Sequence, residues 1–169
     1  MKEVLLKKLR WITLGGQYDW THKIYCEGTH PEFPEDIATL INGIFPEVHP
    51  QAAIVNLYSP KDTLSMHRDV SEHVDRGLVS ISLGCECIFA IGLEEKETGT
   101  IQKVGLRLRS GDVLYMTGES RFAWHGVPKI VPSSCPSHLS SFPGAEFPHW
   151  ESWMRDKRIN LNIRQMYET

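Results

Sequence analysis

Arg158-Ile159-Asn160-Leu161-Asn162-Ile163-Arg164, near the end of this 169-residue chain, alternates polar and aliphatic residues without a break. Successive side chains of an extended strand point to opposite faces, so two arginines and two asparagines share one face and three aliphatics the other. The aliphatic face belongs to a core. A solvated face more often mixes Lys, Glu, Ser and Thr than lines up Arg-x-Asn-x-Asn-x-Arg, which points to a bound anion. Guanidinium groups hold carboxylates bidentately, and two arginines at most ~20 Å apart along a strand can serve opposite ends of one small dicarboxylate. 2-Oxoglutarate is such an acid.

Upstream, AAIVNLY, LVSISL, CIFAI, LRL and DVLYM between Gln51 and Arg121 read as further strands, rich in β-branched and aromatic residues and separated by Gly and charged turns. Between Pro34 and Phe45, Ile37, Leu40, Ile41 and Ile44 recur at helical spacing behind Glu35 and Asp36, the pattern of an amphipathic helix covering a sheet. Shorter helical patterns lie at Val4, Leu5, Leu6 and Leu9 and at Trp150, Trp153 and Met154. The expected fold is α+β, a double-stranded β-helix or jelly roll with N-terminal helices packed outside. One domain over 1–169 is expected, with the helices in 1–50 and the jelly-roll core in 51–169. A Pro/Ser-rich loop insertion over 127–157 interrupts that core.

Hydrophobic content of 41%, charged content of 23% and no long apolar run predict a soluble protein without membrane spans, expected to be a monomer. A formal charge of −3 removes the whole-molecule argument for nucleic-acid binding but leaves room for a local basic stripe. Four cysteines without CxxC spacing argue against a disulfide framework or structural zinc. The opening MKEVLLKKLRW has no signal-peptide pattern, so an intracellular protein is expected, in nucleus, cytoplasm or mitochondrion.

His67-Arg68-Asp69 follows AAIVNLY and a turn, and an HxD pair places an imidazole and a carboxylate on one side of an extended segment, where both can grip one cation. Alone it is a weak signal among eight histidines. His125 comes after a Gly-Asp turn, a strand and a second turn, where it can return to the same barrel mouth. Two histidines and one carboxylate form the facial triad of non-haem Fe(II) oxygenases, which leaves positions open for cosubstrate and O2. His73, His138 and His149 read as solvated or local structural histidines. Asn56 and Tyr58, two apart on the strand leading to the HxD, would add hydrogen bonds to a cosubstrate.

NLYSPKDTLSMHRD, LVSISLGCECIFAIG, SGDVLYMTGESRFAWHGV and RINLNIRQ together resemble the AlkB family of dioxygenases, most closely its eukaryotic AlkB homologue 1 subgroup. The resemblance runs from about Leu5 to Met166. It implies His67, Asp69 and His125 as ligands of Fe(II). It also implies that Arg158, Asn56 and Tyr58 hold the distal carboxylate of 2-oxoglutarate, with Asn160 and Arg164 at the end that chelates the metal. The implied chemistry is oxidative demethylation of N-methylated bases in DNA or RNA, releasing formaldehyde, succinate and CO2. A histone or other protein substrate is the alternative, and a non-catalytic binding module a more distant one. The resemblance further makes 1–50 a nucleotide lid in which Trp20 and Tyr25 contact an unstacked or flipped base, near Lys7, Lys8, Arg10, His22 and Lys23. Ser71 stands where bacterial repair members carry an acid against the damaged base, a departure that weakens direct repair of cationic bases.

Overall fold

The computed structural model describes residues 8–26, 28–95 and 98–168. In chain order the elements are β1 (Trp11–Gly15), β2 (Tyr18–Asp19), β3 (Ile24–Tyr25), α1 (Glu35–Ile44), β4 (Ala52–Tyr58), β5 (Leu64–His67), β6 (Leu78–Gly84), β7 (Cys87–Glu94), β8 (Ile101–Leu108), β9 (Val113–Met116), β10 (Trp124–Ile130) and β11 (Arg158–Arg164). A five-stranded sheet of order β1-β4-β11-β6-β9 faces a four-stranded sheet of order β5-β10-β7-β8, and every pairing is antiparallel. This is the jelly roll the strand pattern predicts.

Two of the buried clusters among the described residues follow from the alternation. Between the sheets, Tyr58, Leu78 and Met116 of the larger sheet pack with Cys87, Phe89, Leu108, Val127 and Ile130 of the smaller. On the outer side of the larger sheet, Ala53, Val79, Ile81 and Ile163 pack with Leu161 against Ile37 and Ile41 of α1. The aliphatic side of β11 therefore faces the helix, and its Arg/Asn side faces the interior between the sheets. α1 begins with Glu35 and Asp36, which complement the positive end of its dipole, and buries Ile41 completely. Ile41→Ala should cost about 2–5 kcal/mol of unfolding free energy, read from the urea midpoint.

Two expectations are corrected and one unforeseen strand is added. The stretch around Trp150–Met154 forms only a 3₁₀ turn, Trp153–Asp156, because Ser152 adopts a left-handed conformation (φ 60°) that prevents a continuous α-helix. The loop expected from 127 begins later, since β10 continues to Ile130. Trp11–Gly15, which no strand reading covered, is an edge strand of the larger sheet. The opening helix pattern falls largely on residues 1–7, outside the described residues, and Leu9 is not helical. Among the described residues no helix is long and apolar enough to cross a membrane.

Candidate metal and cosubstrate site

His67 ends β5 and His125 sits early in β10, and the two are register partners, so both imidazoles emerge on the same face with ring centroids 4.4 Å apart. Gly126 makes this approach feasible, because a Cβ there would lie 2.8 Å from the Leu64 carbonyl oxygen. Nδ1 of His67 lies 2.9 Å from the Ser65 carbonyl oxygen and Nδ1 of His125 lies 3.0 Å from that of Ala123. A carbonyl only accepts, so each Nδ1 carries a proton, and Nε2 is the ring atom of each histidine left to meet a metal. Burial depresses the His125 pKa below its ordinary value, which keeps that ring neutral.

Asp69 completes the group: one ligand atom from each of His67, Asp69 and His125 falls within 4.8 Å of the others. Its Oδ1 lies 3.6 Å from His67 Nε2, and its Oδ2 lies 4.0 Å from His125 Nε2. Oδ2 accepts from Asn162 Nδ2 at 2.9 Å and from Arg164 Nη2 at 3.1 Å. Burial pushes this carboxyl upward, but Arg164, His125 and His67 outweigh it and hold the pKa below the usual carboxylate range. Two imidazole Nε2 atoms and a carboxylate converge here, a donor set that suits a cation.

Further along the same face of β11 from Asn162 lies a second unsatisfied group, of opposite sign. Tyr58 and Arg158 are register partners on β4 and β11, both buried. Arg158 donates one Nη2 bond to Ser82 Oγ (3.0 Å), while its Nε and Nη1 and the Tyr58 hydroxyl have no partner among the described residues. Burial raises the Tyr58 pKa to about 12, so its hydroxyl stays a donor. A buried donor left without a partner costs ~1–3 kcal/mol, and several converging on one point are complementary to a carboxylate. Asn56 stands half-buried opposite Asn160. The Asn160 amide already donates to Ser80 Oγ and the Ile81 carbonyl.

A model of the 2OG-Fe(II) oxygenase superfamily matches residues 1–164. The N6-methyladenosine RNA demethylase ALKBH of Cryphonectria parasitica is 51% identical over 98% of this chain and 79% of its own length. The tRNA demethylase abh1 of Schizosaccharomyces pombe is 46% identical over 95% of this chain and 53% of its own length. The chain belongs to the AlkB family of these oxygenases. The human nucleic acid dioxygenase ALKBH1 shares 31% identity over 98% of this chain and 48% of its own. This AlkB-family chain thus spans most of the first relative and about half of the other two. The solved structure of OsALKBH1 superimposes with a TM-score of 0.72 at 25% identity, covering 92% of this chain and 77% of that one.

The residues expected to meet a base in this AlkB-family chain form one connected patch with unequal exposure. Trp20 is exposed and packs on Trp11 (5.0 Å) and Tyr18 (4.8 Å). Tyr25 is buried at 1% exposure against Tyr18, beside Arg164, so of the two aromatics expected to meet a base only Trp20 is open to solvent, with Trp11 next to it. Ser71 is hydrogen-bonded to the Tyr18 hydroxyl at 3.0 Å and ties this patch to the HxD segment. Arg68 and Trp124, neighbours of His67 and His125 in sequence, stack on each other and line a separate cleft of about 1020 Å³ with Phe122, Leu93 and Glu119.

Arg164, expected at the cosubstrate, spends both Nη groups on Asp69 and on Glu72, and among the described residues its Nε lacks a partner. The reading from sequence missed Asn162, Glu72 and Arg121. Asn162 shares the polar face of β11, so its signal was present. Arg121 and Glu72 lie on irregular segments, where no periodicity marks a side chain as buried.

Proposed function

We propose that this chain holds Fe(II) on His67 Nε2, Asp69 and His125 Nε2, binds 2-oxoglutarate beside it, and oxidises N-methyl groups of nucleic-acid bases. The observation that carries this reading is that the polar face of β11 serves both groups: its Asn162 holds the Asp69 of an acceptor-only triad, and its Arg158, with Tyr58 opposite, carries buried donors that lack a partner among the described residues. When bound, the iron couples O2 and the keto acid to oxidation of the methyl group, giving formaldehyde, succinate and CO2.

The protein's part is placement. Arg158, Tyr58 and Asn56 hold the distal carboxylate, and Asn160 and the remaining Arg164 Nε face the other end of the acid. Asn162 and Arg164 occupy Asp69 Oδ2 and leave Oδ1 for the metal. Exposed Trp20 and Trp11 offer stacking faces for an unpaired base. Relatives named as demethylases of N6-methyladenosine in RNA and of tRNA support a nucleic-acid substrate.

The test is turnover of N-methylated RNA and DNA oligonucleotides against methylated peptides, with formaldehyde and succinate measured together. Equimolar formaldehyde and succinate with an oligonucleotide and none with peptides is the expected result. Product from peptides alone would transfer the activity to a protein substrate, and no succinate from either would overturn the oxygenase.

A further inference from the structure

We propose that Glu72 and Arg121 are positioning residues that clamp Asp69 into the geometry of a metal ligand. This rests on the reading of Asp69 as a ligand and adds the device that holds it.

Asp69 belongs to an irregular segment after the end of β5, with no strand ladder to fix its backbone. A ligand there needs another restraint, and the structure contains a closed ring of hydrogen bonds that provides one. Arg121 Nη1 donates to the Asp69 carbonyl oxygen at 2.9 Å, and Arg121 Nη2 donates to Glu72 Oε2 at 2.8 Å. Glu72 Oε1 accepts from Arg164 Nη1 at 2.9 Å, and Arg164 Nη2 returns to Asp69 Oδ2 at 3.1 Å. The ring thus meets Asp69 twice, at its backbone and at its carboxylate. Arg121 Nε also holds the Arg76 carbonyl, which ties down the far end of the same segment.

Burial gives the ring its stiffness. The side chains of Arg121, Glu72 and Arg164 are 2%, 1% and 3% exposed, so water does not compete for these bonds. Two carboxylates and two guanidiniums sum to zero charge, and each Glu72 oxygen takes one guanidinium. Three residues after the HxD aspartate, Glu72 is shut away from any substrate. Partners of this kind orient a ligand, and their removal typically weakens metal binding roughly 10–100-fold.

Mn(II) titration of the apo protein, followed by the electron paramagnetic resonance of free Mn(II), tests this. Glu72→Gln keeps the shape but removes a negative charge and leaves one guanidinium facing an NH2 group. Arg121→Lys keeps the charge and loses the two-armed grip, so it isolates geometry. Ile41→Ala destabilises the α1 core on the opposite face of the larger sheet and controls for stability alone. The expected result is a Kd for Mn(II) raised roughly 10–100-fold in Glu72→Gln and about tenfold in Arg121→Lys, with Ile41→Ala within about twofold of wild type. An unchanged Kd in Arg121→Lys would overturn the clamp, as would equal weakening by Ile41→Ala. Equal Mn(II) binding by wild type and His67→Ala would instead overturn the metal centre itself, and the clamp with it.

Discussion

His67→Ala should abolish 2-oxoglutarate turnover, by at least ~10³-fold, and leave the fold almost undisturbed. A loss of that size corresponds to ~4 kcal/mol of transition-state stabilisation. The side chain is 35% exposed and makes one local hydrogen bond, to Ser65, so its removal opens no sealed cavity and strands no buried charge. Unfolding free energy of the apo protein should move by less than about 1 kcal/mol. Asp69→Ala is a poorer probe of the same idea, because it also deprives buried Arg164 of a counter-ion and Asn162 of its acceptor. The informative comparison is anaerobic absorption of protein, Fe(II) and 2-oxoglutarate together. Wild type should develop a weak visible charge-transfer band, and His67→Ala should lack it while its thermal unfolding coincides with wild type. A band of equal strength in the variant would remove His67 from the metal.

The parts of this molecule that were readable from sequence are those with a period. β11 declares both of its faces, and the structure puts Ile163 and Leu161 against α1 and Asn160, Asn162 and both arginines on the inner side. α1 declares its stripe in the same way. β10 was unreadable because Gly126 and Pro128 are the residues by which turns are recognised. They are tolerated here because the pairing shifts register on both sides, between His125 and Val127 towards β5 and between Gly126 and Lys129 towards β7. β1 was hidden for a different reason: as an edge strand it carries exposed Trp11 and Ile12, so burial does not alternate along it. The site divides along the same line. His67, Asp69 and His125 were legible as residue types in order. The Glu72–Arg121 pair depends on long-range packing of two irregular segments, for which a single sequence holds no local signal.

Arg158→Met should separate binding from stability in the opposite sense to most buried substitutions. Arg158 is 1% exposed and, among the described residues, makes no ion pair; its neighbours include the Tyr58 ring, with the guanidinium carbon 5.2 Å from the centroid, the Ser82 hydroxyl and the Cys87 thiol. A cation held in that condition destabilises the empty protein, whereas Met fills a similar volume without an unmet charge. The apo variant should therefore unfold at the same temperature as wild type or higher. Cosubstrate binding should move the other way, because a desolvated guanidinium–carboxylate contact is worth ~2–5 kcal/mol, or ~30-fold to several thousand-fold in affinity. The KM for 2-oxoglutarate should rise accordingly, and the thermal stabilisation that Mn(II) with 2-oxoglutarate confers on wild type should shrink to that of Mn(II) alone. Arg164 provides the contrast, since its charge is already balanced by Asp69 and Glu72 and its loss should lower apo stability. If Arg158→Met instead destabilises the apo protein and leaves the KM unchanged, Arg158 is a structural residue of the sheet and the dicarboxylate lies elsewhere.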